Sequence, residues 1–249
     1  FRRARLHMRS RRCGPPDTIL IASLRILCEA WPISVTPVGG HFMKPSGWRH
    51  SGGFIMKVSV LIDGGHLRVL TKKQKIDYTS DYIEKVAHAC LQADETLLRV
   101  LYYDCAPYNG KARLPVSGAE HIFAGNDGWL KQLAAKDYFA IRLGVLKFRG
   151  FKPIRKPAPG GNLTDADFKP DFEQKGVDMR IGLDIATYSN QSSVERIILI
   201  SGDTDCIPAM KYARTKGLQI ALVGFPNQRI APELLQHSDL RRDVAWPQP

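Results

Sequence analysis

Five apolar runs, each followed or preceded by a helical pattern, set the main constraint on how this chain can fold. They are "KVSVLI" (57–62), "TLLRVLYY" (96–103), "FAIRLGVLKFRG" (139–150), "RIILIS" (196–201) and "LQIALVGF" (218–225). β-Branched and aromatic residues fill them, as in buried strands. Between the first two, Ile83, Val86, Ala87, Cys90 and Leu91 share one helical face over roughly 80–93, behind Thr79 and Ser80 as N-cap residues. "AGNDGWLKQLAAKDY" predicts a helix to about 137, capped by Asn126 or Asp127. "QKGVDMRIGLDIATYSN" and "DCIPAMKYARTKG" predict two more, the second stopped by Gly217. Strands joined by helices form crossovers, so the fold class is α/β: a mostly parallel sheet in a three-layer, Rossmann-like α/β/α sandwich. The Pro-, Gly- and charge-rich stretch after the third run predicts a long basic loop at about 147–174.

Residues 1–55 do not match this pattern. They hold nine Arg/Lys and two acids, so +7 of the formal +12 sits there and +5 on the rest. The apolar stretch "DTILIASLRILCEAWPISV" is broken by Arg25 and Glu29, which argues against a signal peptide. No run reaches the ~18 apolar residues of a membrane span. The folded domain is expected to occupy 56–249, with 1–55 poorly ordered or foreign to the native chain. Five cysteines, at 13, 28, 90, 105 and 206, form no CxxC and no Cys/His cluster. That pattern argues against a disulfide framework and structural zinc, and fits reduced thiols in the cytoplasm. A basic balance suits an anionic partner, nucleic acid being the commonest. No GxGxxG or P-loop fingerprint appears, which disfavours dinucleotide enzymes and ordinary NTPases.

The chemistry gathers where apolar runs end. Asp63 follows the first run in "VLIDGGH", and Asp203 follows the fourth in "ILISGDTD", with Asp205 two residues on. Asp178 opens a helix in "QKGVDMR". In open α/β sheets, ligands bind beyond the carboxyl ends of strands. Each acid alone reads equally well as a helix cap or a dipole partner. Together on one rim they would repel unless a hard cation such as Mg²⁺ or Mn²⁺ neutralised them.

"VSVLIDGGHLR", "VLYYDCAP", "KGVDMRIGLDIA" and "ILISGDTDCIPAMKYARTKGLQIALVGF" together resemble the NYN domain of the LabA-like kind, within the PIN-like nuclease superfamily. The resemblance spans roughly 57–225. It implies a PIN-like sandwich, a Mg²⁺- or Mn²⁺-binding acidic pocket and ribonuclease activity. By motif, Asp63, Asp178, Asp203 and Asp205 would be the pocket acids, Lys175 the lysine before the K-G-x-D acid, and Asp184 a further acid. Asp184 ranks lower, because six residues turn it about 240° around the helix from Asp178. His66 stands where the family often has Asn.

The reading is therefore a metal-dependent endoribonuclease acting on RNA. Lys175, Thr204 and His66 are candidates for substrate contact. Arg149, Lys152 and Arg155 would grip the backbone, with Phe148 and Phe151 interleaved among them. A solvated loop with core phenylalanines is the plainer reading of that stretch. The leading alternative is an NYN module that binds RNA or protein without cutting. A D-x-D phosphatase or glycosyltransferase is a weaker one, since neither accounts for Asp63 and Asp178. No membrane partner is expected, and homo-oligomerisation is left open.

Overall fold

In the computed structural model, residues 55–154 and 162–248 are described. The expected N-terminal segment, apart from Ile55, lies outside them, as does Arg155. In chain order the elements are β1 (Met56–Asp63), α1 (Gly64–Lys73), α2 (Ser80–Ala89), β2 (Glu95–Cys105), β3 (Gly110–Arg113), β4 (Glu120–Phe123), α3 (Gly128–Ala134) and β5 (Phe139–Pro153). They continue with β6 (Phe168–Lys175), α4 (Val177–Gln191), β7 (Arg196–Ile200), α5 (Ile207–Thr215), β8 (Gln219–Gly224), α6 (Pro232–Gln236) and β9 (Leu240–Asp243).

Seven strands form one sheet in the order β6-β5-β2-β1-β7-β8-β9. Every neighbouring pair is parallel except β5 with β6. Helices cover both faces, so the architecture is a mostly parallel, PIN-like three-layer sandwich. Side chains alternate across the sheet as the pleat requires. Val58, Val60 and Ile62 of β1 face α1, α2 and α3, packing with Leu67, Ile83, Val86 and Leu133. Leu61 of β1, with Leu199 of β7 and Leu222 of β8, faces α4, α5 and α6, against Ile181, Ile185 and Met210. Apolar residues on both faces of β1 give it the centre of the sheet, and the centre is where Asp63 is delivered.

Two stretches differ from the expectation. The basic loop at 147–174 is largely a hairpin. β5 runs on to Pro153 and pairs antiparallel with β6, Phe148 opposite Phe172 and Lys152 opposite Lys169. The Pro and charged residues that suggested a loop sit in an edge pairing, where one missing N–H and a solvated face cost little. The helix expected from Gln174 accordingly starts at Val177, because Gln174 and Lys175 still belong to β6. Between β2 and α3, "GKAR" and "EHIF" pair as the small antiparallel hairpin β3–β4. The Thr79 cap is present, its hydroxyl accepting from the Tyr82 N–H at 3.1 Å.

At the amino-terminal end of the sheet, opposite the acids, Glu95 joins two arginines. Its carboxylate takes hydrogen bonds from Arg196 (2.6 Å, from β7) and Arg242 (2.8 Å from each terminal nitrogen, from β9). The Glu95 side chain is fully buried. Burial alone would raise its pKa, but the hydrogen bonds from Arg242, the Gln92 N–H and Arg196 outweigh it, and the pKa is lowered. A carboxylate held low stabilises the fold above its unfolded pKa, and that stability is lost as pH falls through the native value. Two outcomes follow. The thermal midpoint should fall as pH drops below about 4.5, the ordinary glutamate value. Glu95→Ala should cost about 3–5 kcal/mol in denaturant unfolding near neutral pH, since it leaves two buried arginines unpaired.

Candidate active site

β1 and β7 pair in parallel with Ile62 level with Ile200, so Asp63 and Ser201 leave the sheet side by side. Asp63 is only 9% exposed. It caps α1, one carboxylate oxygen accepting from the His66 N–H at 3.0 Å. Its other oxygen accepts from the Ser201 hydroxyl at 3.3 Å. Ser201 Oγ in turn accepts from the Asp203 N–H at 3.1 Å, and Asp203 Oδ1 accepts from the Asp205 N–H at 2.9 Å. One buried hydroxyl therefore ties the ends of both strands together.

Asp178 arrives from a third direction. The chain leaves β6 and turns into α4 through Gly176, whose φ of +77° is left-handed and favours glycine. This is the physical content of the K-G-x-D spacing: the glycine makes the turn, and the acid two residues on sits in the first helical turn. Asp63, Asp178, Asp203, His66, Arg68 and Thr204 line one open cleft of about 660 Å³.

The cleft holds excess negative charge. Burial raises the Asp63 pKa, with Asp203 and Asp104 adding to the rise, while hydrogen bonds from His66 and Ser201 oppose it. Burial likewise raises Asp178, reinforced by Asp203, Asp63 and Asp205. The His66 imidazole is pushed down, first by burial and then by Lys73. Its Nε2 lies 3.0 Å from Gln228 Nε2. The ring rests on Gly202, where an added Cβ would come within 2.4 Å of His66 Cε1. Oxygen donors on a repelling rim suit a hard divalent cation. Among the described residues, no three His, Cys, Asp or Glu side chains already stand close enough to hold a metal.

Other residues singled out from sequence lie elsewhere. Asp205 is exposed at the start of the turn after Asp203. Lys175 pairs with Glu173 at 3.2 Å, and Arg149 pairs with the same carboxylate at 3.1 Å. Lys152 pairs with Asp171. Asp184 is taken by the Tyr103 hydroxyl at 2.8 Å and Arg142 Nε at 3.1 Å. Phe148 and Phe151 pack on each other (centroids 5.3 Å apart) and against Phe123. They join the β3–β4 and β5–β6 hairpins. Cys206 lies beneath the cleft, its thiol pushed by burial to about 12, so it is no nucleophile near neutral pH.

Sequence reasoning passed over Ser201, Arg68 and Asp104. Asp104 is the penultimate residue of β2, one past Tyr103, which is level with Asp63. It binds Arg68 from α1. The signal was present in "VLYYDCAP", a third apolar run closed by an acid.

Residues 122–241 match the family model for the NYN domain. The chain carries an NYN domain. NYN domains belong to the PIN-like nuclease superfamily, which points to a nuclease-type, RNA-related function. The matched stretch contains Asp178 and Asp203. Asp63, His66, Arg68 and Asp104 precede it and join the NYN acids through the β1–β7 and β1–β2 pairings. No curated protein gives a significant match. Among solved structures, a protein of unknown function from Vibrio parahaemolyticus aligns over 77% of this chain and 94% of its own, at 17% identity and a TM-score of 0.45.

The raised pKa of Asp178 means that its surroundings disfavour the charged form. In chelator, Asp178→Asn should therefore raise the thermal midpoint, by about 2–4 °C for each kcal/mol of repulsion relieved in a domain this size. Added Mn²⁺ should raise the midpoint of the native protein more than that of the variant. Differential scanning fluorimetry with EDTA and then Mn²⁺ reads both; a variant that melts lower in EDTA contradicts the excess charge.

Proposed function

We propose that this NYN domain hydrolyses RNA phosphodiester bonds in the acidic cleft, with Mg²⁺ or Mn²⁺ as cofactor. One observation carries the reading: three carboxylates from β1, the turn after β7 and the start of α4 line one open cleft, two of them, Asp63 and Asp178, with pKa values raised by burial and by Asp203. Asp63, Asp178 and Asp203 would hold the cation, and Asp205, outside the cleft lining, adds to the negative charge felt by Asp178. When bound, the cation would supply Lewis-acid polarisation of the phosphate and activation of the attacking water.

The chain's own residues support the rest. The His66 N–H and the Ser201 hydroxyl fix the Asp63 carboxylate, and Ser201 and the Asp205 N–H orient Asp203. α1 and α4 both begin at the cleft, so their amino-terminal ends face an incoming phosphate with partial positive charge. A neutral His66 is suited to hydrogen bonding with substrate or solvent rather than to charge neutralisation. Thr204 is exposed on the cleft wall and free to meet a phosphate oxygen. Lys175 would have to leave Glu173 to do so.

The test is RNA cleavage by the full chain in Mg²⁺ and in Mn²⁺, with EDTA as control. Asp63→Asn and Asp203→Asn should each lower the rate by at least about 100-fold, the scale of several kcal/mol of lost transition-state stabilisation. Cleavage that survives both changes, or that EDTA leaves untouched, sinks the metal-dependent reading. RNA binding without any cleavage would mark a non-catalytic module.

A further inference from the structure

A second cleft, of about 620 Å³, opens beside the acidic one. The two share Arg68 and Gln174 as a dividing wall. The remaining walls are rich in carbon: Trp129, Phe172, Leu146 and Pro107. Asp104 lies at its floor, on the strand beside β1 and one residue past Tyr103, which is level with Asp63.

The walls are held in place before any ligand arrives. Asp104 is only 2% exposed. It accepts from Arg68, from the Tyr102 hydroxyl at 3.0 Å and from the Cys105 N–H at 2.8 Å. The Arg68 guanidinium lies over the rings of Tyr78 (5.3 Å) and Trp129 (5.7 Å). Trp129 is braced edge-on by Tyr102, with centroids 6.0 Å apart. On the opposite wall Phe172 is wedged by Tyr108, Phe123 and Phe148, at 5.4, 5.7 and 5.6 Å. Arg68 nonetheless keeps 41% of its side chain exposed, although its partner is buried. A structural ion pair needs no such open face. Gln174, on the divide, offers both a donor and an acceptor.

Flat aromatic and guanidinium surfaces with one amide at the edge are the surroundings of a stacked nucleobase. Building on the hydrolase reading, we infer that this cleft seats the unpaired base of a nucleotide whose phosphate lies in the acidic cleft. The base enters between the Arg68–Trp129 wall and Phe172, its edge toward Gln174. A base paired in a duplex cannot enter, so the strand must be unpaired at that position.

The test needs no cleavage. Short single-stranded RNAs, each with one abasic nucleotide at a successive position, are bound to the full-length protein in EDTA and followed by fluorescence anisotropy. Affinity should fall about tenfold at one position, the scale of one lost base–aromatic stack, and little elsewhere. Trp129→Ala and Phe172→Leu should remove that position dependence, with intact and abasic RNAs binding each variant alike. Trp129→Phe should retain it. Cleavage-site mapping in Mn²⁺ should place the sensitive base next to the cut. Equal affinity for every abasic RNA, no measurable affinity, or position dependence that survives Trp129→Ala overturns the seat. Because the abasic series uses the native protein, a variant that fails to fold does not spoil the test. The two readings separate cleanly: cleavage without position dependence sinks the seat alone, and position dependence without cleavage sinks the hydrolysis alone.

Discussion

The parallel pairing of β1 with β7 is the constraint on which the rest of the site depends. It sets Asp63 level with Ser201 and leaves Asp203 only two residues beyond. Such proximity of like charges is unfavourable, and both strands pay for it with apolar side chains buried on each face. The cost shows in the raised pKa values of Asp63 and Asp178. A rim held under electrostatic tension by a rigid sheet gains most from whatever cation or cationic group relieves it, which is how binding energy becomes available for chemistry.

Charge is handled differently at the two ends of the sheet. At the amino-terminal end Glu95 is matched by two arginines, so its buried charge is neutralised within the fold. At the carboxyl end Asp104 is matched by Arg68, whereas the three cleft acids have no ion pair with a cationic side chain among the described residues. Arg68 is the hinge of this contrast. It neutralises Asp104, screens the second cleft from the acidic one, and stacks on Tyr78 and Trp129.

Much of the fold was legible because burial imposes periodicity. The runs that became β1, β2, β7 and β8 are apolar on both faces, a pattern that a strand covered by helices on each side explains. The elements that were missed carry weaker patterns. α1 starts with two glycines and holds three lysines and arginines in its ten residues, so it reads as a turn until Asp63 is seen to cap it. β6 contains Pro170 and four charged residues and survives as a strand because it pairs on one side only, at the sheet's edge. The loop reading of 147–174 failed for the same reason.

The sequence by itself determined the alternation of strands and helices, the three acids at element boundaries, and the glycine that turns the chain into Asp178. These are local matters, decided by burial period and backbone geometry within a few residues. Only the tertiary structure decided which charges are free. Lys175, Arg149 and Lys152 were candidates for RNA contact yet find acids on β6, and Asp184 on α4 finds Arg142 of β5. Arg68, silent in the sequence, stands between two clefts. A charge's partner is set by strand order and register, and no spacing along the chain encodes a contact between residues 36 apart, such as Arg68 with Asp104.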